Sequence, residues 1–334
     1  MTDVIDVHNH VVPEQFPKYA GKGANVPWPS MADAHACHKH VMISGKVYRT
    51  VADGCWSASR RIEDMGKQGI ARQAISPMPE LLSYWLPLDD AKVMVRFLND
   101  QIAEMIGQAP QRFVGLGCIP LQDIDSALRE LEYIKTLKFS GVEIASHING
   151  TSIGDARFEP FFAACEKMGA AVFVHALRPA GMERIVGAFS EQAVLFPNEI
   201  AIACASMITG GIAAKHPKLR IAFSHGGGTM PILLPRLVHA WNMVQKTKES
   251  LAESPAVTAK RFYYDNVLFD ADSIKFLIGR FGAGQVLVGS DYPFALGEKD
   301  PLGRLRDAGL DEKTVALIGS TNAKRFLGLP EAPR

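Results

Sequence analysis

Short β-branched or apolar runs alternate with helix-like segments along the chain, and this alternation constrains the fold more than any other feature. Eight runs predict strands, at residues 4–7, 72–76, 113–118, 141–145, 171–175, 220–225, 262–265 and 286–291. Segments with polar starts and glycine ends predict helices between them, at residues 58–67, 89–108, 123–137, 158–167, 199–215 and 271–280. Repeated strand–helix units build parallel sheets. The count of eight predicts an α/β fold, a (β/α)8 TIM barrel, with a doubly wound open sheet as the alternative.

Two connections are too long for ordinary barrel loops: residues 13–56, after the first predicted strand, and residues 178–198, after the fifth. Loops that follow the strands of a barrel lie at its catalytic face. We therefore expect both segments to roof the active site. The small insertion at 13–56 is expected to be part of a single domain that covers residues 1–334.

The charge balance excludes several classes of partner. The chain has 36 Lys and Arg against 35 Asp and Glu, spread without blocks, so it has no general field for nucleic acid or an acidic membrane. A small-molecule partner is expected. No apolar run reaches the roughly 18–20 residues that span a bilayer, and the first residues lack the pattern of a secretory signal. Five cysteines without CxxC spacing are typical of a reducing compartment, so a cytoplasmic protein is expected.

His8 and His10 end the first predicted strand and predict a metal site. Side chains two residues apart on an extended chain share one face, so both imidazoles can point to the same place. Three further predicted strands also end in a side chain that can bind a metal or carry a proton, namely His175, His225 and Asp291. Such groups meet at the catalytic face of a barrel. Burying them there would be costly without a ligand, and a metal ion satisfies them.

We assign His8, His10, His175 and Asp291 to one divalent ion. Imidazoles and a carboxylate suit Zn2+, with Mn2+ or another divalent ion as the alternative. An open position on the ion would hold a water with a pKa near ~7, available as a nucleophile or proton source. His225 is left to shuttle protons, because imidazole titrates near neutral pH.

A second arrangement of the same residues stays open. His225 could bind the metal and Asp291 could act as the base, as in two-metal proteins of this architecture. The fourth predicted strand ends without a lysine, since Ala145 is followed by Ser146 and His147. A carbamylated lysine that bridges two metals is therefore not expected, and one ion is preferred.

Other histidines are interpreted as structural. His35, His38 and His40 lie in the insertion and could form a second metal site, but a β-ribbon that exposes them to solvent or substrate is preferred. His216 precedes a proline near a predicted helix end, where a cap or surface role is expected. These four residues are therefore kept apart from the predicted metal centre.

The glycine run after His225 invites comparison with two catalytic motifs. The spacing of Ser224 and residues 226–228 fits neither a nucleophile elbow nor a phosphate-binding loop. We expect these glycines instead to let the backbone approach a bound ligand, with a helix beginning near Thr229.

Short blocks in a fixed order extend over nearly the whole chain. They are residues 8–10 (HNH), 45–49 (GKVYR), 55–56 (CW), 61–65 (RIEDM), 83–85 (SYW), 112–117 (RFVGLG), 141–149, 224–228 (SHGGG) and 289–298. With these blocks the chain resembles the amidohydrolase-related decarboxylases, and within them the branch that acts on 2-amino-3-carboxymuconate-6-semialdehyde. So many ordered blocks are not expected by chance.

The resemblance implies functions for residues inside and outside the metal site. It implies Zn2+ on the four predicted ligands, with His225 activating the metal-bound water. It also implies that Arg49 and Arg236 bind the carboxylates of the substrate, with Arg236 reaching the neighbouring site in a homodimer. A guanidinium pairs with a carboxylate through two parallel hydrogen bonds. Trp85, within a matching block, is expected to contact the substrate.

One departure from the family bears on the substrate. The family has His-Pro-Trp-Asp after the fifth strand, whereas this chain has His175-Ala176-Leu177-Arg178. The metal ligand is kept, but an aromatic and an acidic residue are replaced by an aliphatic one and a cation. We expect Arg178 to contact a substrate that differs from that of the family.

These residues predict non-oxidative decarboxylation of a small unsaturated or aromatic carboxylate, similar to aminocarboxymuconate semialdehyde, with metal-bound water and His225 as base and acid. The alternative is a metal-dependent hydrolase or hydratase of a related ring-cleavage product, a lactone or an amide. A ligand-binding protein without catalysis is disfavoured, because every expected metal position is intact. Loss of CO2 or gain of water in the product distinguishes the two enzyme classes.

Overall fold

The computed structural model describes residues 3–188 and 190–330. The ends of the predicted 1–334 domain, residues 1–2 and 331–334, lie outside the described residues, as does residue 189 of the predicted roof segment 178–198. The strands are β1 (Ile5–Asp6), β2 (His10–Val11), β3 (Ser30–Asp33), β4 (His38–Ile43), β5 (Lys46–Ala52), β6 (Arg72–Pro77), β7 (Phe113–Gly117), β8 (Gly141–Ala145), β9 (His147–Ile148), β10 (Thr151–Ser152), β11 (Ala171–His175), β12 (Ile221–Phe223), β13 (Tyr263–Asp265) and β14 (Val286–Leu287).

The α-helices lie mostly between these strands and after the last one. They are α1 (Ala58–Lys67), α2 (Leu88–Gln108), α3 (Ile124–Thr136), α4 (Glu159–Met168), α5 (Phe196–Thr209), α6 (Ile212–Lys215), α7 (Met230–Met243), α8 (Gln245–Ser250), α9 (Pro255–Ala259), α10 (Ala271–Phe281), α11 (Pro301–Asp307), α12 (Glu312–Ala316) and α13 (Asn322–Leu327).

Eight parallel strands form the barrel. They pair in the order β1-β6-β7-β8-β11-β12-β13-β14, and β2 also pairs with β6. A parallel bridge between Asp6 and Val288, with a hydrogen bond of 2.9 Å from Val7 N to Val288 O, joins the chain after β14 to β1. The predicted (β/α)8 barrel is therefore confirmed. The open-sheet alternative is wrong, because the first and last strands are joined.

The barrel strands are buried on both sides, because side chains fill the interior and helices cover the outside. Every residue of β8 and of β11 is buried. At the end where the strands begin, Phe326 of α13 packs against Tyr263, with ring centres 5.5 Å apart. The opposite end, where the strands finish, carries the loops that form the candidate site.

Short polar side chains begin several of the outer helices. Ser57, Asp123 and Asp270 each accept a hydrogen bond from a backbone N–H three residues on, which caps α1, α3 and α10. The predicted single helix at 199–215 is wrong, because α5 and α6 are separate. Gly211 between them has a φ of 75°, a left-handed conformation that an α-helix does not continue through.

Both long connections lie at the end of the barrel where the strands finish. The insertion contains an antiparallel sheet in the order β3-β4-β5, and residues from Tyr48 to Ala52 line the main cavity. The second connection contains a π-helical turn, Glu191–Leu195, that leads into α5. Glu191 and Gln192 of this turn line the same cavity.

One helical stretch in the described part of the chain, Glu191–Thr209, could cross a membrane by length and composition alone, with a mean hydropathy of 1.2. In the structure 44% of this stretch is buried inside the protein. Its buried side chains include Ile200, Cys204 and Met207, which belong to the hydrophobic core. The stretch therefore packs as a core helix of the barrel.

Candidate metal centre and active site

Four side chains, each at or next to a different strand of the sheet, converge at the end of the barrel. His8 follows β1, His10 begins β2, His175 ends β11 and Asp291 follows β14. One ligand atom from each lies within 4.8 Å of the other three. Asp291 Oδ1 is 3.3 Å from His8 Nε2 and 3.2 Å from His10 Nε2. Among the described residues, no other group of three or more His, Cys, Asp or Glu side chains meets in this way.

The facing atoms of this cluster have no hydrogen-bond partner within the described protein. They are buried, and they are His8 Nε2, His10 Nε2, His175 Nε2 and Asp291 Oδ1. Buried polar atoms are almost always satisfied, so four orphaned atoms that face one point call for a ligand. Three imidazole nitrogens and one carboxylate oxygen form a donor set that fits a divalent metal ion.

The other ring nitrogen of each histidine is held from behind. His8 Nδ1 lies 2.7 Å from Asp265 Oδ2, His10 Nδ1 lies 3.2 Å from the Pro77 carbonyl, and His175 Nδ1 lies 2.7 Å from the Ala176 carbonyl. Such partners require Nδ1 to carry the proton, which leaves the Nε2 lone pair to face the metal.

Asp265 is a functional residue that the sequence reading did not assign. It is fully buried, and its carboxylate also accepts hydrogen bonds from the backbone N–H groups of His225, Gly226 and Val267, at 3.0, 3.0 and 3.1 Å. The available signal was its place as the last residue of a predicted strand. Asp265 therefore orients both a metal ligand and the backbone at His225.

The protonation states of the ligands are coupled. Burial alone would lower the pKa of His8, but Asp265 and Asp291 raise it well above its ordinary value. Burial alone would raise the pKa of Asp291, but His10 and His8 hold it well below its ordinary range. Burial lowers the pKa of both His10 and His175. The site thus presents an ionised carboxylate and two neutral imidazoles, as metal binding requires.

His225 lies beside the cluster and not within it. Its ring centre is 5.2 Å from that of His8 and 5.1 Å from that of His175, and its Nδ1 is 3.0 Å from Ser224 Oγ. Burial, with a contribution from His8, lowers the pKa of His225 to about 4. The converging set of possible ligands therefore includes Asp291 and does not include His225.

A cavity of about 1050 Å³ opens onto these groups, and His175, His225 and Asp291 form part of its wall. Arg49 of β5 also lines it. The Arg49 guanidinium lies 4.4 Å from the centre of the Phe294 ring, which in turn stacks on His10 at 5.1 Å. A cation therefore lies one aromatic ring away from a metal ligand.

The match of the whole chain to known proteins decides the family. A family model described as Amidohydrolase matches residues 5–329. The 2-amino-3-carboxymuconate-6-semialdehyde decarboxylase of Dictyostelium discoideum is 34% identical, over 97% of this chain and 91% of that protein. The chain belongs to the amidohydrolase family. The predicted membership in the amidohydrolase-related decarboxylases is confirmed.

Solved structures of relatives agree with this amidohydrolase fold. The apo crystal structure of Metarhizium anisopliae IDCase has a TM-score of 0.84 at 21% identity, and the match covers 98% of this chain and 97% of that one. The 5-carboxyvanillate decarboxylase of Novosphingobium aromaticivorans has a TM-score of 0.72 at 25% identity, with 81% and 80% covered. That enzyme was crystallised with manganese and 4-hydroxy-3-methoxy-5-nitrobenzoic acid.

Of the other residues predicted to bind substrate, Arg178 lies on the cavity wall, whereas Trp85 and Arg236 do not. Arg178 lines the cavity, with its guanidinium 3.4 Å from the centre of the Trp85 ring and paired with Glu80. Trp85 supports Arg178 from behind and is absent from the described cavity wall. Arg236 is exposed on α7 and is likewise absent from that wall. Within one chain, therefore, Arg49 and Arg178 face the cavity and Trp85 and Arg236 do not.

A buried polar network behind the site was also missed by the sequence reading. Arg61 is fully buried and donates to Asn9 Oδ1 and Gln73 Oε1, both at 2.8 Å, and to the carbonyl of His10. Gln73 continues the network to Asp6, at 3.0 Å. Its only sequence signal was the arginine within block 61–65. The network holds the backbone that carries His8 and His10.

The histidines of the insertion form no metal cluster in the described structure. The rings of His35 and His38 lie 4.1 Å apart, and His40 Nδ1 lies 2.9 Å from Thr50 Oγ1. His38 lines the cavity. His216 Nε2 lies 2.8 Å from Glu159, so it ties the end of α6 to α4.

The glycines after His225 lie where two parts of the protein pack closely. A Cβ atom at Gly228 would overlap the Pro197 carbonyl, and one at Gly227 would lie 2.7 Å from the Tyr264 ring. These glycines therefore let two parts of the protein pack closely. Gly228 also lines the cavity, and the expected close approach of this backbone to a bound ligand stays a prediction.

Proposed function

We propose that this amidohydrolase removes CO2, without oxidation, from a small unsaturated or aromatic carboxylate similar to aminocarboxymuconate semialdehyde. The observation that carries the proposal is the convergence of four orphaned ligand atoms beside His225 and Arg49, at the wall of one cavity. Membership in the family, and the decarboxylase names of its relatives, support the same reaction class.

His8, His10, His175 and Asp291 would hold one divalent ion. Zn2+ is our first choice, because imidazole nitrogen and carboxylate oxygen are ligands that it prefers, and Mn2+ is the second. When bound, such an ion supplies Lewis acidity and acidifies a coordinated water. The protein orients the three Nε2 atoms toward the ion by holding the Nδ1 atoms from behind.

Arg49 is proposed to bind the substrate carboxylate. The Phe294 ring supports its guanidinium at 4.4 Å, and no salt bridge to an acidic residue is recorded for it in the described structure. A guanidinium offers paired donors that match a carboxylate. The carboxylate would thus be held next to the metal ligands.

His225 is proposed to carry the proton that the reaction needs. When the bond to the carboxylate breaks, CO2 leaves and the electron pair stays on carbon, where a proton must replace it. A neutral imidazole takes a proton from water, which leaves hydroxide, and passes that proton to the carbon, so the carboxylate and water give the C–H product, CO2 and hydroxide. The lowered pKa of about 4 keeps His225 neutral between transfers. Asp291 is proposed to contribute to this proton transfer through the charge of its ionised carboxylate, which acts on His225.

We also propose a homodimer in which Arg236 reaches the cavity of the neighbouring subunit. Arg236 lies on the exposed side of α7 and is absent from the described wall of its own cavity, which supports a function across an interface. On the same helix Ile232 is 69% exposed and Met243 is 70% exposed. Exposed apolar side chains on one face are typical of an interface. A cytoplasmic location stays a prediction, with five free cysteines as its basis.

The reaction is tested on protein stripped with a chelator and reloaded with Zn2+ or Mn2+. Release of CO2 is assayed with aminocarboxymuconate semialdehyde, its hydroxy analogue and ortho-hydroxybenzoates as substrates. The masses of the products are measured by mass spectrometry. We expect loss of CO2 that depends on the metal and disappears in a His8→Ala, His10→Ala double variant. Gain of water would instead establish the hydrolase or hydratase alternative, and metal-independent turnover would contradict the assignment of the site.

The shared site is tested by mixing two inactive variants. Arg236→Ala subunits keep the metal ligands, and His8→Ala subunits keep Arg236. If Arg236 acts across the interface, a mixed dimer contains one intact site, so the mixture recovers activity that neither variant has. A mixture that stays as inactive as its components, although subunits exchange, would exclude the shared site.

A further inference from the structure

Arg178 lines the cavity with two sides of its guanidinium already occupied. The centre of the Trp85 ring lies 3.4 Å from its guanidinium carbon. Its Nε and Nη2 atoms face the two carboxylate oxygens of Glu80, at 3.4 and 2.5 Å. Glu80 is 5% exposed, whereas Arg178 is 46% exposed. One face and one edge of the guanidinium are therefore covered, and the remainder is open to the cavity.

The open edge carries hydrogen-bond donors that the protein does not use. A guanidinium has five N–H donors, and within the described residues those of Arg178 bond only to Glu80. The backbone is held as well, because His147 Nε2 lies 3.2 Å from the Arg178 carbonyl. Donors fixed in this way lose little freedom when they bind a ligand.

The charges around Arg178 favour an uncharged ligand group. With Asp291 assigned to the metal, the charged side chains on the described cavity wall are Arg49, Arg178, Glu80 and Glu191, two cations and two anions. Glu80 neutralises Arg178 at contact distance. A carboxylate placed at Arg178 would be repelled by Glu80 and Glu191, whereas a neutral acceptor uses the free N–H donors without that repulsion.

The cavity is large enough to place such a group away from the metal. Its volume of about 1050 Å³ is at the top of the range of roughly 300–1,000 Å³ that accommodates drug-sized ligands. Arg178 follows the ligand His175 by three residues, so their Cα atoms are at most about 11 Å apart. His175, Asp291 and Arg178 line the same cavity, so one bound substrate can contact both the metal centre and Arg178.

We propose that Arg178, positioned by Glu80 and Trp85, forms a distal subsite for an uncharged hydrogen-bond acceptor of the substrate, such as a carbonyl oxygen. The subsite binds the end of the substrate remote from the departing carboxylate. This inference rests on the proposed function, because it places that carboxylate at Arg49 and the metal centre. Arg178 is thus a specificity-determining residue, and Glu80 disfavours a carboxylate at this distal position of the substrate.

The subsite is tested by calorimetric binding to the Zn2+-loaded enzyme. The probes are 2-hydroxybenzoates with a formyl, carboxylate or methyl group at ring position 4 or 5. At one position, the formyl compound is expected to bind roughly tenfold more tightly than the methyl compound, because a hydrogen bond to a charged donor contributes at least that much. Arg178→Met is expected to remove this preference. Glu80→Gln is expected to improve carboxylate binding several-fold relative to formyl binding.

Arg184→Gln is the matched control, because Arg184 lies in the same segment but is absent from the described cavity wall. It is expected to leave all preferences unchanged. Equal binding of formyl and methyl compounds by the unaltered enzyme, or an equal loss for all three groups in Arg178→Met, would overturn the subsite. Release of CO2 is measured separately. If the enzyme prefers the formyl compound but releases no CO2, only the proposed decarboxylase activity is contradicted. If it releases CO2 but shows no formyl preference, only the proposed subsite is contradicted.

Discussion

The Nδ1 atom of His8 lies 2.7 Å from the carboxylate of Asp265, and both side chains are completely buried. The same carboxylate accepts backbone hydrogen bonds from His225 and Gly226, both at 3.0 Å. The end of β13 therefore joins the metal centre to the proposed proton carrier. The Asp265 carboxylate therefore sets both the ring orientation of His8 and the backbone position of His225.

Replacement of Asp265 by asparagine is expected to weaken metal binding by roughly 10–100-fold, the usual effect of losing a partner behind a metal-bound histidine. The amide keeps the shape but no longer supports the charge of the His8 imidazole. The metal dissociation constant is measured by competition with a chromophoric chelator. Asp272→Asn on α10 is the control, since Asp272 is 88% exposed. Equal metal affinity in both variants would refute a supporting function for Asp265.

Replacement of His225 by glutamine is expected to lower kcat by roughly 10²–10⁴-fold, the range for a lost general acid–base group. Metal content should stay at one ion per chain, because His225 is outside the converging ligand set. Steady-state kinetics and metal analysis of the same sample test this. His175→Gln serves as the comparison and should lose metal together with activity. Loss of metal in His225→Gln would support the arrangement in which His225 is a ligand.

Replacement of Glu143 by glutamine is expected to change how the stability of the metal-free protein depends on pH. Burial raises the pKa of Glu143 from 4.5 to about 8, so between these values the folded protein holds a proton that the unfolded chain has lost. Stability from this group is complete below pH 4.5 and decreases by up to about 1.4 kcal/mol per pH unit as the pH rises to about 8.

Glutamine has no such proton, so the Glu143→Gln variant should show a shallower decrease over the same pH range. The free energy of unfolding is measured in denaturant at a series of pH values, with chelator present throughout. Parallel curves for the two proteins would show that Glu143 does not titrate in this window.

Replacement of Arg61 by lysine is expected to lower the free energy of unfolding by about 2–4 kcal/mol, because a single ammonium leaves buried acceptors unsatisfied. The acceptors at stake are Asn9, Gln73 and the carbonyls of His10 and Gly54. Denaturant unfolding of the metal-loaded protein is the measurement. Arg60→Lys is the neighbouring control and should leave the unfolding midpoint almost unchanged. A similar loss in both variants would argue against the network.

The barrel and the candidate metal ligands were predictable because both have local signals in the sequence. Eight apolar runs of strand length predict eight strands whatever they pack against. A polar residue that ends such a run must lie at one edge of the sheet. This rule alone predicted that His175 and Asp291 lie near His8, without any knowledge of distances. These predictions depend on local sequence and one rule of barrel architecture.

The residues that support the ligands were not predictable in the same way. Asp265 and Arg61 act through contacts with residues far away in the chain, and a single aspartate or arginine in a strand or helix has no local mark of such a contact. Trp85 was expected at the substrate, yet it lies beneath Arg178. That position depends on how the loops after β6 and β11 pack together. The sequence of either loop alone does not predict this packing.

Local sequence was enough to predict the fold class, the family and four candidate metal ligands, because apolar runs, the residues that end them and short ordered blocks are all visible along the chain. Only the tertiary structure decided that His225 stands outside the ligand set, that Asp265 joins it to His8, and that Glu80 neutralises Arg178. Each of these depends on distances of a few ångströms between segments far apart in the chain. Charge and hydrogen bonding act over such distances, so the chemistry of this site becomes definite only when the barrel has closed.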